Sequence, residues 1–236
     1  MRARLLVCLL ALASSCATVA PLQLASVAPA GSTWVSGQVS GTVFCGSIPD
    51  GLGGFLTCNQ FTDGVPLPEL RANVRHGVGW ASDVGASVQV LGNVGAPEKV
   101  LQVGLTLDAK RELLHLRSSS GLGHVLSLGV LAGAAIGGRL GLAPLGEAEW
   151  AVPLRYGLQV KGLEVVSALL VSQRVEFGGR AGLPAESTVR LGASVGLFRR
   201  EPLGWAVQLG YLTDPRAPGL GSFQLQLGWQ WDVTPR

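Results

Sequence analysis

The sequence predicts an all-β fold: an antiparallel up-and-down transmembrane barrel of about ten strands, with eight or twelve as the neighbouring solutions. Three observations carry that prediction. Apolar and polar residues alternate with period two over most of the chain, long and short connections alternate between those runs, and the composition is apolar, glycine-rich and poor in charge. Of 236 residues 34 are glycine, about twice the usual share of roughly 7%. Charged residues make up 14% and mean hydropathy is +0.39, which excludes a disordered, solvating polymer. Eighteen Lys+Arg stand against fifteen Asp+Glu, a net charge of +3 with no basic stripe, so no nucleic-acid partner is expected.

The amino terminus is a targeting segment. Arg2 and Arg4 precede an apolar run from Leu5 to Ala13 and then small residues, the layout of a secretory signal peptide over residues 1–15. The run is too short to span a bilayer as a helix. It ends in Ala13-Ser14-Ser15-Cys16, which resembles the lipobox of bacterial lipoproteins, with Ala13 where leucine is usual. The resemblance implies cleavage before Cys16 and lipidation of its sulfur; ordinary cleavage near Ala17 to Ala20 is the alternative. Residues 16–32 then form a lipid-anchored linker, and residues 33–236 form the barrel. Cys8 leaves with the leader. Cys45 and Cys58, with twelve residues between them in a glycine-rich loop, are candidates for a disulfide worth about 3 kcal/mol by loop entropy in an oxidising compartment. Their spacing does not suggest zinc.

The strands follow in order. The pattern is cleanest where Val189, Leu191, Ala193, Val195 and Leu197 alternate with Arg190, Gly192, Ser194 and Gly196. Trp205, Val207, Leu209 and Tyr211 alternate with Ala206, Gln208 and Gly210. Phe223, Leu225, Leu227, Trp229 and Trp231 alternate with Gln224, Gln226, Gly228 and Gln230. Similar runs start at Leu101 and Trp150, and weaker ones occupy 34–44, 67–78, 82–92, 122–137 and 163–175. Most reach the roughly 9 to 11 residues that a tilted strand needs to cross a membrane. Longer links fall at 45–66, 93–98, 138–148, 176–186 and 213–221, and short ones at 79–81, 160–162 and 199–202. The link 109–121 breaks this regularity.

Hydrocarbon requires every backbone N–H and C=O to find an internal partner, so strands cross it only as an edgeless barrel. The phrase ELRANVRHGVGWASDVGASVQVLG resembles hairpins of small Gram-negative outer-membrane β-barrel proteins. SFQLQLGWQW resembles the terminal strand that barrel-assembly machinery reads, although Asp232 to Arg236 follow the aromatic Trp231. The resemblance, one of pattern over residues 67–233, implies an outer-membrane location and partners in outer-membrane lipid and the assembly machinery. It implies tight periplasmic turns, larger external loops, and both termini in the periplasm. Trp80, Trp150, Trp205, Tyr211, Trp229 and Trp231 fit interface girdles.

Strand parity points Arg71, Arg75, Asp108, Arg155, Glu164, Arg174, Arg190, Gln208, Gln224 and Gln226 into the lumen, with Glu69, Asn73, Asp83, Gln89, Gln102 and Glu149 beside them. An interior of mutually satisfied ion pairs is the plain expectation, since small barrels are filled by side chains and buried charges need partners. A narrow hydrophilic pore is the functional variant. No catalytic, cofactor or metal residues are expected. His76 falls on the lipid-facing parity, His115 in a basic link and His124 on the glycine face of its strand, none with a paired acid and nucleophile. The function read from the sequence is a non-enzymatic outer-membrane (lipo)protein with a surface, structural or small porin-like role. One alternative is a lipid-anchored soluble periplasmic β-barrel or sandwich that binds a hydrophobic ligand. Another is a glycine-zipper membrane-helix lipoprotein built on Gly129, Gly133 and Gly137.

Overall fold

The computed structural model describes residues 22–47, 56–58, 67–93, 100–139, 145–178, 186–200 and 204–234. These hold eleven strands: β1 (Thr33–Ser47), β2 (Leu56–Cys58), β3 (Leu67–Gly79), β4 (Ser82–Asn93), β5 (Val100–Arg117), β6 (Gly123–Arg139), β7 (Leu145–Val160), β8 (Leu163–Gly178), β9 (Glu186–Arg199), β10 (Gly204–Asp214) and β11 (Ala217–Asp232). Each long strand from β3 to β11 pairs with its neighbours in the chain, β1 pairs with β3, and β1 pairs antiparallel with β11. The sheet is therefore closed on itself as a ten-stranded antiparallel barrel with no long edge left unpaired. The short β2 is an appendage that pairs only with the far end of β1.

The ladders are tilted. Stepping between register partners from Gly79 leads through Arg111, Leu154 and Tyr211 to Phe223 and Val43, from one rim of the barrel to the other. We call the rim that holds Thr33 and Asp232 the terminal rim and the opposite one the distal rim. Two terminal-rim hairpins close through two residues of positive φ, Trp80 and Ala81 at 56° and 51°, and Lys161 and Gly162 at 45° and 81°. Such mirror-image turns match the twist of the strands they join.

The long link expected at 109–121 is mostly strand. β5 runs on to Arg117, opposite Gly123, with a bulge between Glu112 and Leu114, so the connection shrinks to 118–122. The charges in this stretch had concealed the parity, because its inward position 110 is a lysine. At the distal rim the expected loop at 213–221 is also strand, closed tightly where Asp214 pairs with Ala217. The apolar stretch with Gly129, Gly133 and Gly137 is β6, so the glycine-zipper helix does not form. No helix among the described residues is long and apolar enough to cross a membrane.

The two faces of the sheet are inverted relative to a water-soluble barrel. Val195, Leu209 and Leu225 are 52%, 49% and 50% exposed, whereas Gln208, Gln224 and Gln226 are 5%, 1% and 1% exposed. A soluble barrel that binds a hydrophobic ligand requires the opposite arrangement. An apolar exterior of this extent is far beyond the few hundred Å² of contiguous apolar surface usual on soluble monomers.

Candidate functional site

The lumen is occupied in three layers. The layer nearest the terminal rim is built by the chain ahead of β1. Residues 22–28 run inside the barrel with bends at Leu22, Ala25 and Ser26, and the wall grips their backbone. Glu164 accepts the amides of Ala25 and Ser26 at 2.7 and 3.2 Å and the Ser26 hydroxyl at 3.0 Å. Asp83 accepts the Ala28 amide at 2.8 Å, and Gln38 accepts that of Leu22 at 3.1 Å. Lys110 donates to the carbonyls of Leu24 and Ser26 at 2.9 and 2.7 Å. Arg75 bridges Asp83 and Asp108, and Gln23 donates to Asp108 at 3.3 Å.

The side chains of this inner segment face a different wall. Leu24 and Ala25 pack with Val125, Val166, Phe198 and Ala206, with Leu22 and Trp34 at the margin. One side of the lumen is thus charged and reads peptide groups, and the other is apolar and takes side chains. Two glycines make room. A Cβ on Gly157 would stand 2.8 Å from that of Ala25, and one on Gly77 would meet the Pro29 carbonyl oxygen at 2.0 Å. Gly77 also holds the turn into β1, exchanging backbone hydrogen bonds with Gly31 and Ser32. The cavity left between the segment and Trp34, Asn73, Arg75 and Lys110 is about 10 Å³, no more than a single water needs.

The middle layer joins β1, β3, β4 and β11. Arg71 is paired with Glu69 at 2.8 Å and donates to Gln89. Gln224 donates to Ser40 at 3.2 Å and Glu69 at 3.4 Å, and Gln226 donates to Gln224 at 2.8 Å. The distal layer gathers Arg174 with Glu147 and Glu176. Beside them lie Glu149, opposite Arg174, and Arg190, opposite Ser172. An apolar cluster of Ala151, Leu170 and Leu212, flanked by Leu131, fills part of the interior. Arg155 is buried on β7 opposite Ser127.

Some lumen groups are not legible in the sequence. Lys110, Glu147 and Glu176 fall in expected links, although each continues the parity of a neighbour, Asp108, Glu149 and Arg174 respectively. The inner segment carries no alternation of its own, and its burial is dictated by the acids and lysine it meets. Cys16 lies outside the described residues. Cys45 and Cys58 are direct register partners between β1 and β2.

Outside the barrel wall, Trp205 faces Trp229 and Trp231 faces Val35 in register near the terminal rim, where the exposed Trp80 occupies a turn. Toward the distal rim Trp150 donates to Gln173 at 3.0 Å, and the Tyr211 ring lies 4.7 Å from that of Phe223. The histidines make local contacts: His76 with Thr33 at 2.9 Å, His115 with Glu112 at 2.9 Å and His124 with Tyr156 at 2.6 Å. His124 faces outward with Tyr156 rather than sharing the inward face of the glycines, because Gly123 and Val125 take the inward positions. Among the described residues no three His, Cys, Asp or Glu side chains converge as metal ligands would.

No protein-family model matches the chain. No curated protein matches its sequence either. Solved structures do resemble it in outline. The translocator domain of the autotransporter NalP from Neisseria meningitidis is 11% identical, covers 98% of this chain and 94% of its own, and superposes with a TM-score of 0.42. Neisserial surface protein A is 11% identical over 86% of this chain and 98% of its own, with a TM-score of 0.39. The outer-membrane protease OmpT from Escherichia coli is 9% identical over 92% and 100%, with a TM-score of 0.37. At this distance the likeness is one of outline alone.

Proposed function

We propose that the chain is an outer-membrane β-barrel protein of a Gram-negative bacterium, sealed along its axis and serving a non-enzymatic surface or structural role. The observation that supports this reading is the inversion of faces. A closed barrel that turns Leu, Val and Trp outward while packing Arg, Glu and Gln within is matched to hydrocarbon outside and to a polar interior. The three lumen layers favour a scaffold over a porin. In this reading the terminal rim faces the periplasm and the distal rim the exterior, and residues 1–15 are a signal peptide. A lipid on Cys16 enters the leaflet next to the terminal rim, from which the inner segment rises into the barrel. Export to an oxidising compartment joins Cys45 to Cys58, whose register already places them opposite each other. The terminal strand β11 is the segment offered to barrel-assembly machinery.

The test is gel mobility of the full chain refolded in detergent. A closed membrane barrel resists dodecyl sulfate until boiled and migrates differently before and after heating. A chain that remains monodisperse in detergent-free buffer, with no heat-dependent shift, overturns the proposal.

A further inference from the structure

The distal layer holds two opposite charges that do not meet. Arg174 is taken up by Glu147 and Glu176. On either side of its strand stand Glu149 on β7 and Arg190 on β9. Among the described residues, Nη1 of Arg190, Oε1 of Glu149 and the hydroxyl of Ser172 on the strand between them are buried and have no hydrogen-bond partner. Arg190 is 6% exposed and Ser172 0%. An unmade hydrogen bond at a buried charge is costly, so a donor and an acceptor left open near each other mark a place for a third group.

The register sets the spacing. Glu149 faces Arg174, which faces Thr188, while Arg190 faces Ser172. Glu149 and Arg190 are therefore two strands and two residues apart, about 12 Å between Cα atoms at ordinary sheet spacings. Two long side chains reaching inward from that separation leave room for a small molecule between their ends. One step deeper the lining turns apolar: Ala151, Leu170 and Leu212 pack together, with Leu131 against them. The site thus offers a carboxylate, a guanidinium and a hydroxyl above an aliphatic floor.

We propose that Glu149, Ser172 and Arg190 bind an α-amino acid with a short apolar side chain, which enters from the distal rim. Glu149 accepts from its ammonium, Arg190 and Ser172 donate to its carboxylate, and its side chain rests on the aliphatic floor. Charge complementarity selects the class. A simple anion satisfies Arg190 and is repelled by Glu149, a simple cation does the reverse, and water brings charge to neither; a zwitterion answers both. The proposal goes beyond the structural role proposed above, and it depends on the lumen rather than on what surrounds the barrel.

The experiment is isothermal titration calorimetry of the full chain in detergent with three probes of one shape: L-valine, isobutylamine, which lacks the carboxylate, and isovalerate, which lacks the ammonium. Valine is expected to bind about tenfold more tightly than either analogue, since each analogue leaves one buried charge unanswered. Arg190→Gln is expected to bring valine down to the level of isobutylamine, and Glu149→Gln to that of isovalerate, while Arg216→Gln at the distal rim leaves binding unchanged. Absence of valine binding at millimolar concentration, equal binding of the three probes, or full affinity in Arg190→Gln overturns the site. The comparison of probes on the wild type decides the matter even where a variant fails to fold. Heat-dependent gel mobility, measured on the same samples, separates the two proposals. A shift without valine binding removes only the site; a chain soluble without detergent removes the membrane reading, and the titration still decides the site.

Discussion

Glu164, at the start of β8, accepts the amide of Ala25 at 2.7 Å, across 139 residues of sequence. The carboxylate is fully buried, and its other contacts go to Ser26, to Gln159 at 3.2 Å and to the Arg200 guanidinium at 3.9 Å. A buried carboxylate is tolerated only when its oxygens are occupied, so wall and inner segment each satisfy what the other would leave exposed. Replacing Glu164 by alanine is therefore expected to destabilise the barrel by about 2–5 kcal/mol, leaving two buried amides without acceptors. Glu164→Gln should cost less, because the amide oxygen still accepts. Urea titration followed by gel mobility measures both, and limited proteolysis should cut residues 22–32 more readily in the alanine variant.

The inverted faces predict a depth-dependent penalty on the outside. Leu209→Arg is expected to cost about 2–4 kcal/mol of folding stability in bilayers, while Arg at the rim position of Trp205 should cost less. Refolding titrations in lipid vesicles compare the two, and equal tolerance would contradict the assignment of faces.

Three filled layers predict an electrically silent barrel. The wild type should show no single-channel steps in planar bilayers. Deleting Gln23–Ala28 should not open it, because the layer of Arg71, Glu69, Gln89 and Gln224 still fills the interior. A channel appearing on that deletion alone would show that the inner segment is the only seal.

The register of Cys45 with Cys58 predicts a bond formed without rearrangement of the barrel. In a full chain carrying Cys8→Ser and Cys16→Ser, purified from an exported preparation, a thiol-reactive label should attach only after reduction. Cys45→Ser should lower stability by about 3 kcal/mol under oxidising conditions and change nothing under reducing ones.

Orientation is testable on intact cells. A reactive tag inserted beside Arg216 should be labelled from outside, and one inserted beside Lys161 should not.

The barrel was legible where a single period governs the residues. β9, β10 and β11 are read directly from their alternation, since each side chain answers only to the outer surface or the lumen. Legibility failed where a residue answers to something distant. Lys110 reads as part of a basic link until the carbonyls of Leu24 and Ser26 appear beside it. Leu22 to Ala28 read as a linker because a bent, irregular backbone held by wall side chains leaves no periodic trace. The turn at Asp214 looked like a loop because Pro215, Arg216 and the glycines that follow are turn-forming types, yet β10 and β11 stay paired up to it. Lumen parity was available from the strands alone, but which charge meets which depends on the tilt of the ladders. Arg75 reaches past β4 to Asp108 on β5 because Gly85, the register partner of both, leaves the space between them open.

The seam between β1 and β11 joins the first and last long strands of the chain. The cylinder cannot shut until β11 has been made, since the seam pairs it with a strand more than 170 residues earlier. Thr33 follows the buried segment after the short turn 29–32, so that segment and one side of the seam travel together. Shutting the wall and stoppering its lower end are thereby linked through one short stretch of chain.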